Sequence, residues 1–163
     1  LILHWGIEYR HDPTPEQREL AERFLNAGAD IILGSHPHVI EPMEVVNVDG
    51  KDKLVVYSMG NFISHQRGLE RNSGVIIKIK VTKNMDTGEC FLHEVTYTPT
   101  FSHTYQENGK LKFRVVPVEE TIALINEGTE PYLTESDLPT LQEVLTKTRS
   151  LLGEEFKSNK VES

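Results

Sequence analysis

Three histidines carry the most reactive chemistry in this chain: His4 in Leu3-His4-Trp5-Gly6, and His36 and His38 in Gly34-Ser35-His36-Pro37-His38. Imidazole ligates transition metals when neutral and carries protons near pH 7. Pro37 disfavours the helical region for His36, so extended backbone is expected there. In extended chain, side chains two residues apart share a side, which would aim both imidazoles into one pocket. A cation needs further ligands; His4 can be the third, with carboxylate or water completing the set. His11, His65, His93 and His103 show no such convergence. His65 has the best case among them, because it follows Gly60-Asn61-Phe62 in a loop after an expected strand. The alternative is that all of these histidines are structural.

Around the histidines stand residues that suit a substrate. Glu8, Asn61 and Arg67 are the candidate substrate-binding residues, and Arg71 joins Arg67 as a bidentate anion holder. Glu44, like Glu8, is a candidate acceptor behind a ligand imidazole, fixing its tautomer and orientation. Each has a plainer reading, as a solvated carboxylate, a tight turn at Gly60-Asn61, or a solvated loop.

Positioning these groups falls to a strand–helix–strand unit. Residues 1–5 are a short apolar run compatible with a buried strand. Thr14, Pro15 and Gln17 give an N-cap, a first-turn proline and a capping box. Leu20, Ala21, Phe24 and Leu25 make a helical stripe that Gly28 stops, and Ala29–Leu33 is the next strand. Such a βαβ unit is right-handed with parallel strands, so His4 and the His36/His38 pair should meet at one sheet edge.

After that unit the pattern turns antiparallel. Met43–Val48 and Leu54–Ser58 flank Asp49-Gly50 with a somewhat long loop, Gly74–Thr82 pairs with Cys90–Thr98, and Asn108-Gly109 precedes Leu111–Val116. Helices are expected over Glu119–Glu127 and Ser136–Leu152, the latter with Leu138, Leu141, Leu145, Thr148 and Leu152 on one face. The class is therefore mixed α/β, an α+β arrangement of one domain over residues 1–152 with a flexible tail at 153–163. A net charge of −8 argues against a nucleic-acid partner, which needs a basic face. An acidic protein handling anions needs a local positive centre, and bound metal supplies one. Cys90 is the sole cysteine, so no intrachain disulfide forms. There is no signal peptide or apolar span, and Leu1-Ile2-Leu3 reads as the interior of a strand, as expected of a fragment of a longer protein.

His4-Trp5-Gly6-Ile7-Glu8-Tyr9, Gly28-Ala29-Asp30, Gly34-Ser35-His36-Pro37-His38, Glu44 and Tyr57-Ser58-Met59-Gly60-Asn61-Phe62 occur in an order and spacing that resemble the bacterial poly-γ-glutamate capsule biosynthesis family (CapA/PgsA-like). Beyond residue 75 the likeness is one of general pattern. That family is similar to the calcineurin-like metallophosphoesterases, which implies a layered α/β/β/α sandwich of which this chain is the C-terminal part. The resemblance makes His4, His36 and His38 metal ligands and His36 and His38 the catalytic pair. Ser35 separates Gly34 from His-Pro-His, as the capsule family allows. It implies two divalent cations (Mn, Fe or Zn) that activate a water and clamp a phosphate. The early Asp, Asp and Asn-His motifs of such a site are absent here, so the fragment alone is expected to be inactive.

The resemblance further implies a protein held at the outer face of the bacterial membrane by an N-terminal segment. It would act as a metal-dependent hydrolase or transferase on a phosphorylated or polyanionic substrate. The rival expectation is a non-catalytic subunit that binds the polymer or the membrane subunits of a capsule synthesis complex. An open sheet edge adds the expectation of a homodimer.

Overall fold

A computed structural model describes residues 1–153 and Phe156. Strand β1 (Ile2–His4), helix α1 (Pro15–Asn26) and strand β2 (Ile31–Ser35) form the expected parallel unit, with Ile2 opposite Leu33 and His4 opposite Ser35. Helix α1 starts where a reciprocal cap satisfies two orphan amides. The Gln17 N–H donates to Thr14 Oγ1 at 3.1 Å, and the Thr14 N–H donates to Gln17 Oε1 at 2.9 Å. Its other end is tied down by Lys53, whose buried ammonium donates to Leu25 O at 2.8 Å and Ala29 O at 3.0 Å. A cation at the carbonyl end also suits the helix dipole.

Strands β3 (Met43–Val48) and β4 (Lys51–Val56) complete the first sheet in the order β1-β2-β4-β3, with β4 parallel to β2. The connection is tighter than expected. Asp49 and Gly50 both take positive φ (52° and 81°), so a two-residue turn closes the hairpin and β4 begins at Lys51 rather than Leu54.

The second sheet, in order β5-β6-β7, is antiparallel: β5 (Ser73–Lys83), β6 (Cys90–Glu107) and β7 (Lys110–Pro117). Strand β6 runs past the expected stop at Thr98. Pro99 reads as a breaker, but it lies where β5 alone pairs with β6, just before Thr100 where β7 joins, so its missing amide costs little of the ladder. Helices α2 (Val118–Asn126) and α3 (Leu138–Leu152) follow, each slightly displaced from its sequence bounds, with a 3-10 turn at Glu135–Asp137 ahead of α3.

Packing falls into three apolar groups. Ala21 and Leu25 of α1 cover Ile32, Val55 and Tyr57 on one face of the first sheet. Leu54 and Val56 on its other face meet Val75, Val95 and Tyr97 of the second sheet. Val116 and Phe101 of the second sheet receive Ile125 of α2 and Leu141 and Val144 of α3. Of the expected tail, all but Gly153 and Phe156 lies outside the described residues. Phe156 O accepts the Tyr97 N–H at 2.9 Å, and its ring packs against the inter-sheet core.

Candidate functional site

The carboxyl ends of β1 and β2 bring the three histidines together. His4 ends β1 and His36 follows β2, and the Trp5 N–H donates to Ser35 O at 3.0 Å to hold the two strand ends side by side. The rings of His4 and His36 lie 4.5 Å apart, and those of His36 and His38 lie 6.3 Å apart. Convergence at one sheet edge is therefore as the βαβ reading anticipated.

The local backbone is not as anticipated. His36 has φ 106° and His38 has φ 60°, so the extended conformation expected before Pro37 gives way to two left-handed residues flanking it. Tyr9 opposite them has φ 65°. The remaining positive-φ residues other than glycine, among the described residues, are Asp49 and Asn108 in hairpin turns, where such values are ordinary. Outside those hairpins, positive φ in residues other than glycine is thus concentrated at the histidine loops, at His36 and His38 and at Tyr9 in the turn that the Arg10 N–H closes onto Ile7 O at 3.4 Å. Each such residue costs about 1–3 kcal/mol and persists only where its surroundings dictate it. Here they do so through hydrogen bonds: Tyr9 N–H to Pro37 O at 2.7 Å, Met59 N–H to Gly34 O at 3.2 Å, and Ser58 Oγ to Val39 O at 2.7 Å. Sequence spacing carries no signal for this turn beyond Pro37 itself.

The candidate substrate residues divide. Asn61 reaches the cluster, with Oδ1 3.0 Å from His38 Nδ1, and Glu8 Oε1 lies 3.9 Å from His38 Nε2. Arg67 is exposed in the following loop. Arg71 stacks its guanidinium 5.0 Å over the Tyr9 ring, and Tyr9 in turn faces His38 at 6.1 Å. His65 lies elsewhere, edge-on to Phe113 at 5.5 Å. Glu44 does not back an imidazole. It accepts the Tyr57 hydroxyl at 2.5 Å and faces Arg18 at 3.9 Å, on the α1 side of the sheet. Burial and the neighbouring Glu44 carboxylate push the Tyr57 phenol far above its usual range.

Beneath the histidine loops is an acid absent from the sequence-based candidates. Glu41 is fully buried, takes a hydrogen bond from Gln17 Nε2 at 2.8 Å, and leaves its Oε1 without a partner. Burial raises its pKa from 4.5 to about 7, against the smaller lowering effect of the Gln17 hydrogen bond. Its position inside the apolar run Val39-Ile40-Glu41-Pro42-Met43 was the available signal. Gln17 also lies under Gly6, where an added Cβ would come within 2.8 Å of its amide. A cleft of about 670 Å³ opens above, lined by His4, Trp5, Gly6, Arg10 and Gln17.

As a cation holder the corner fits in chemistry and falls short in number. His4 and His36 face each other at a separation that suits two ligands of one ion, and imidazole suits Zn, Mn or Fe. Among the described residues, however, no three His, Cys, Asp or Glu side chains are gathered closely enough to hold a metal alone. Nor, among them, is any helix long and apolar enough to cross a membrane.

Comparison with known proteins bears on the same segment. Residues 1–66 match the family model described as bacterial capsule synthesis protein PGA_cap. The chain is 39% identical over 100 residues to the PGA biosynthesis protein CapA of Bacillus subtilis (strain 168), a match covering 59% of this chain and 25% of that protein. It is 37% identical over 81 residues to the capsule biosynthesis protein CapA of Bacillus anthracis, covering 50% of this chain and 19% of that protein. The chain spans a quarter or less of the length of these curated relatives.

Proposed function

We propose, for a chain whose residues 1–66 belong to the bacterial capsule synthesis family, that it contributes the histidine half of a metal-dependent site serving poly-γ-glutamate capsule biosynthesis. The supporting observation is the convergence of His4, His36 and His38 on one sheet edge, with three left-handed residues held there against local preference. Strain retained at a cluster of potential ligands is a feature of functional sites.

In this reading His4 and His36 would hold a divalent cation together with donors from outside the 163 residues, and His38 would complete the corner. A bound cation of that kind supplies Lewis acidity and an activated water for a phosphoester or related anionic substrate. The chain's own residues bind and orient. Arg71, braced against Tyr9, offers a guanidinium fork to an anion, and Arg67 precedes it in the same loop. Glu8 stands across from His38 Nε2 as a polar contact for substrate. The family resemblance also favours attachment to the outer face of the membrane through a segment beyond these residues, alongside membrane subunits of the capsule apparatus.

A binding role without turnover is the second reading, favoured by the absence of three gathered donors among the described residues. One experiment separates the two. Full-length protein is assayed with Mn²⁺ on a generic phosphodiester, and capsule output is followed in cells carrying His36→Ala. The catalytic reading expects turnover that drops at least about 100-fold in the variant, as for loss of a group acting at the reacting centre. No turnover with any divalent metal, but lost capsule in the variant, selects the binding role; unchanged turnover and capsule output contradict both.

A further inference from the structure

The loop following β4 carries out a task that the substrate-binding expectation for Asn61 does not include. The Asn61 side-chain amide is anchored at both ends. Its Nδ2 lies 2.8 Å from Arg71 O, and its Oδ1 lies 3.0 Å from His38 Nδ1. A backbone carbonyl can only accept, so the Nδ2 end must face Arg71, and the orientation of the amide is not ambiguous. Oδ1 therefore faces the imidazole as an acceptor, and His38 Nδ1 must carry the proton. The neutral ring then presents Nε2 as an unprotonated lone pair.

The anchor itself is rigid. The Asn61 N–H donates to Ser73 O at 3.1 Å, and the Asn72 N–H closes the intervening loop onto Gly68 O at 3.1 Å. Gly60, at φ 72°, lets the two segments approach so closely that a Cβ there would stand 2.6 Å from Ser73 O. Across from the free Nε2, 3.9 Å away, is the Glu8 carboxylate, also a lone-pair donor. Two acceptors facing one another across such a gap are complementary to a cation.

We infer that Asn61 is a positioning residue, which locks His38 in the Nδ1–H tautomer and thereby aims Nε2 at the space shared with Glu8. This deepens the reading of His38 as part of a functional corner and rests on it. Outer groups that fix a ligand imidazole in this way change metal affinity by about 10–100-fold when removed.

The test is long-range ¹H–¹⁵N correlation of the imidazole nitrogens in the full chain, metal-free and at about pH 8.5, above the ordinary imidazole range. His38 is assigned by the signals lost in His38→Gln. In wild type its Nδ1 is expected to show the protonated, pyrrole-type shift and Nε2 the pyridine-type shift. In Asn61→Ala the pattern should move toward the Nε2–H form, and Asn61→Asp, which keeps an acceptor at this position, should retain the wild-type pattern. Zn²⁺ titration in parallel should show affinity about 10–100-fold weaker in Asn61→Ala. His38 found in the Nε2–H form in wild type overturns the inference, and that reading needs no variant to fold. An unchanged tautomer in a folded Asn61→Ala overturns it as well. Failure of the metal reading looks different: His38 in the Nδ1–H form, shifting in the variant as expected, with no uptake of Zn²⁺ by either protein.

Discussion

Gly34→Ala is expected to abolish the fold. Gly34 lies near the end of β2, where the Trp5 indole and the backbone of Tyr57, just past the end of β4, approach it closely. A methyl at this position would stand 1.8 Å from Tyr57 O and 2.5 Å from Trp5 Nε1. Neither neighbour is free to retreat. Tyr57 O accepts the Trp5 indole N–H at 2.8 Å, the Tyr57 N–H is bound to Pro42 O at 3.1 Å, and Gly34 O holds Met59 at 3.2 Å. Relief would have to separate β2 from β4, taking the histidine turn with it. The expected loss is on the order of 4 kcal/mol or more, at the extreme of what one substitution does and comparable with the stability of a whole small domain. Gly28→Ala is the matched control. Its φ of 106° makes alanine strained, but nothing lies within 4 Å of the new methyl. That change should cost about 1–2 kcal/mol and leave a cooperative transition. Urea denaturation of the two variants reads the difference; a Gly34→Ala midpoint close to that of Gly28→Ala would mean that β2 and β4 are not so tightly apposed.

The second large effect is a dependence of stability on pH that one side chain governs. Glu41 titrates at 4.5 when unfolded and at about 7 in the fold, because burial disfavours its carboxylate. The folded state therefore binds the extra proton between those values, and folding stability contributed by Glu41 falls as pH rises through that window. Below 4.5 the group is protonated in both states and exerts no penalty. Above about 7 the full penalty is present, roughly 3 kcal/mol from the size of the shift. Glu70 acts in the opposite sense, since hydrogen bonds from Lys147 and His11 lower its pKa, so the isolating measurement is a difference. Glu41→Gln keeps an acceptor for the Gln17 amide and cannot ionise. Denaturation curves at pH 4 and pH 8 should show the variant close to wild type at the lower pH and more stable by up to about 3 kcal/mol at the higher one. A difference that does not change with pH would mean that Glu41 does not carry this dependence. Gln17 links this acid to the loop above, because the same side-chain amide that bonds Glu41 lies where a Cβ on Gly6, two residues after His4, would come within 2.8 Å of it.

Much of the fold was legible because local signals agreed with tertiary ones. The Thr14-Pro15-Gln17 cap, the stripe at Ala21 and Leu25, and the short apolar strands on either side specify one parallel unit and hence the meeting of His4 with His36. Strand ends were less legible at Pro99, where pairing with different partners on either side carries β6 through a residue that usually stops a strand. At the site, convergence could be read from topology, but conformation could not. The rule for residues before proline predicts extended backbone at His36, whereas hydrogen bonds to Pro37 and Gly34, from residues distant in sequence, hold the turn left-handed. Glu44 and Asn61 illustrate the same limit. Residue type and place in the motif suggest both, yet Glu44 of β3 faces Tyr57 and Arg18 on the α1 side of the sheet, whereas Asn61, in the loop after β4, meets His38.

If His4, His36 and His38 form a corner for a divalent cation, the metal should travel with the protein through purification. Full-length protein is purified without chelator and subjected to elemental analysis beside His36→Ala, with circular dichroism to show that both are folded. Mn, Fe or Zn is expected at near-stoichiometric levels in the wild-type protein, with a loss of at least half of it in the variant. Wild-type protein that carries no transition metal, even after incubation with Mn²⁺ and Zn²⁺, or a folded variant that carries as much metal as wild type, would mean that the three histidines do not hold a cation.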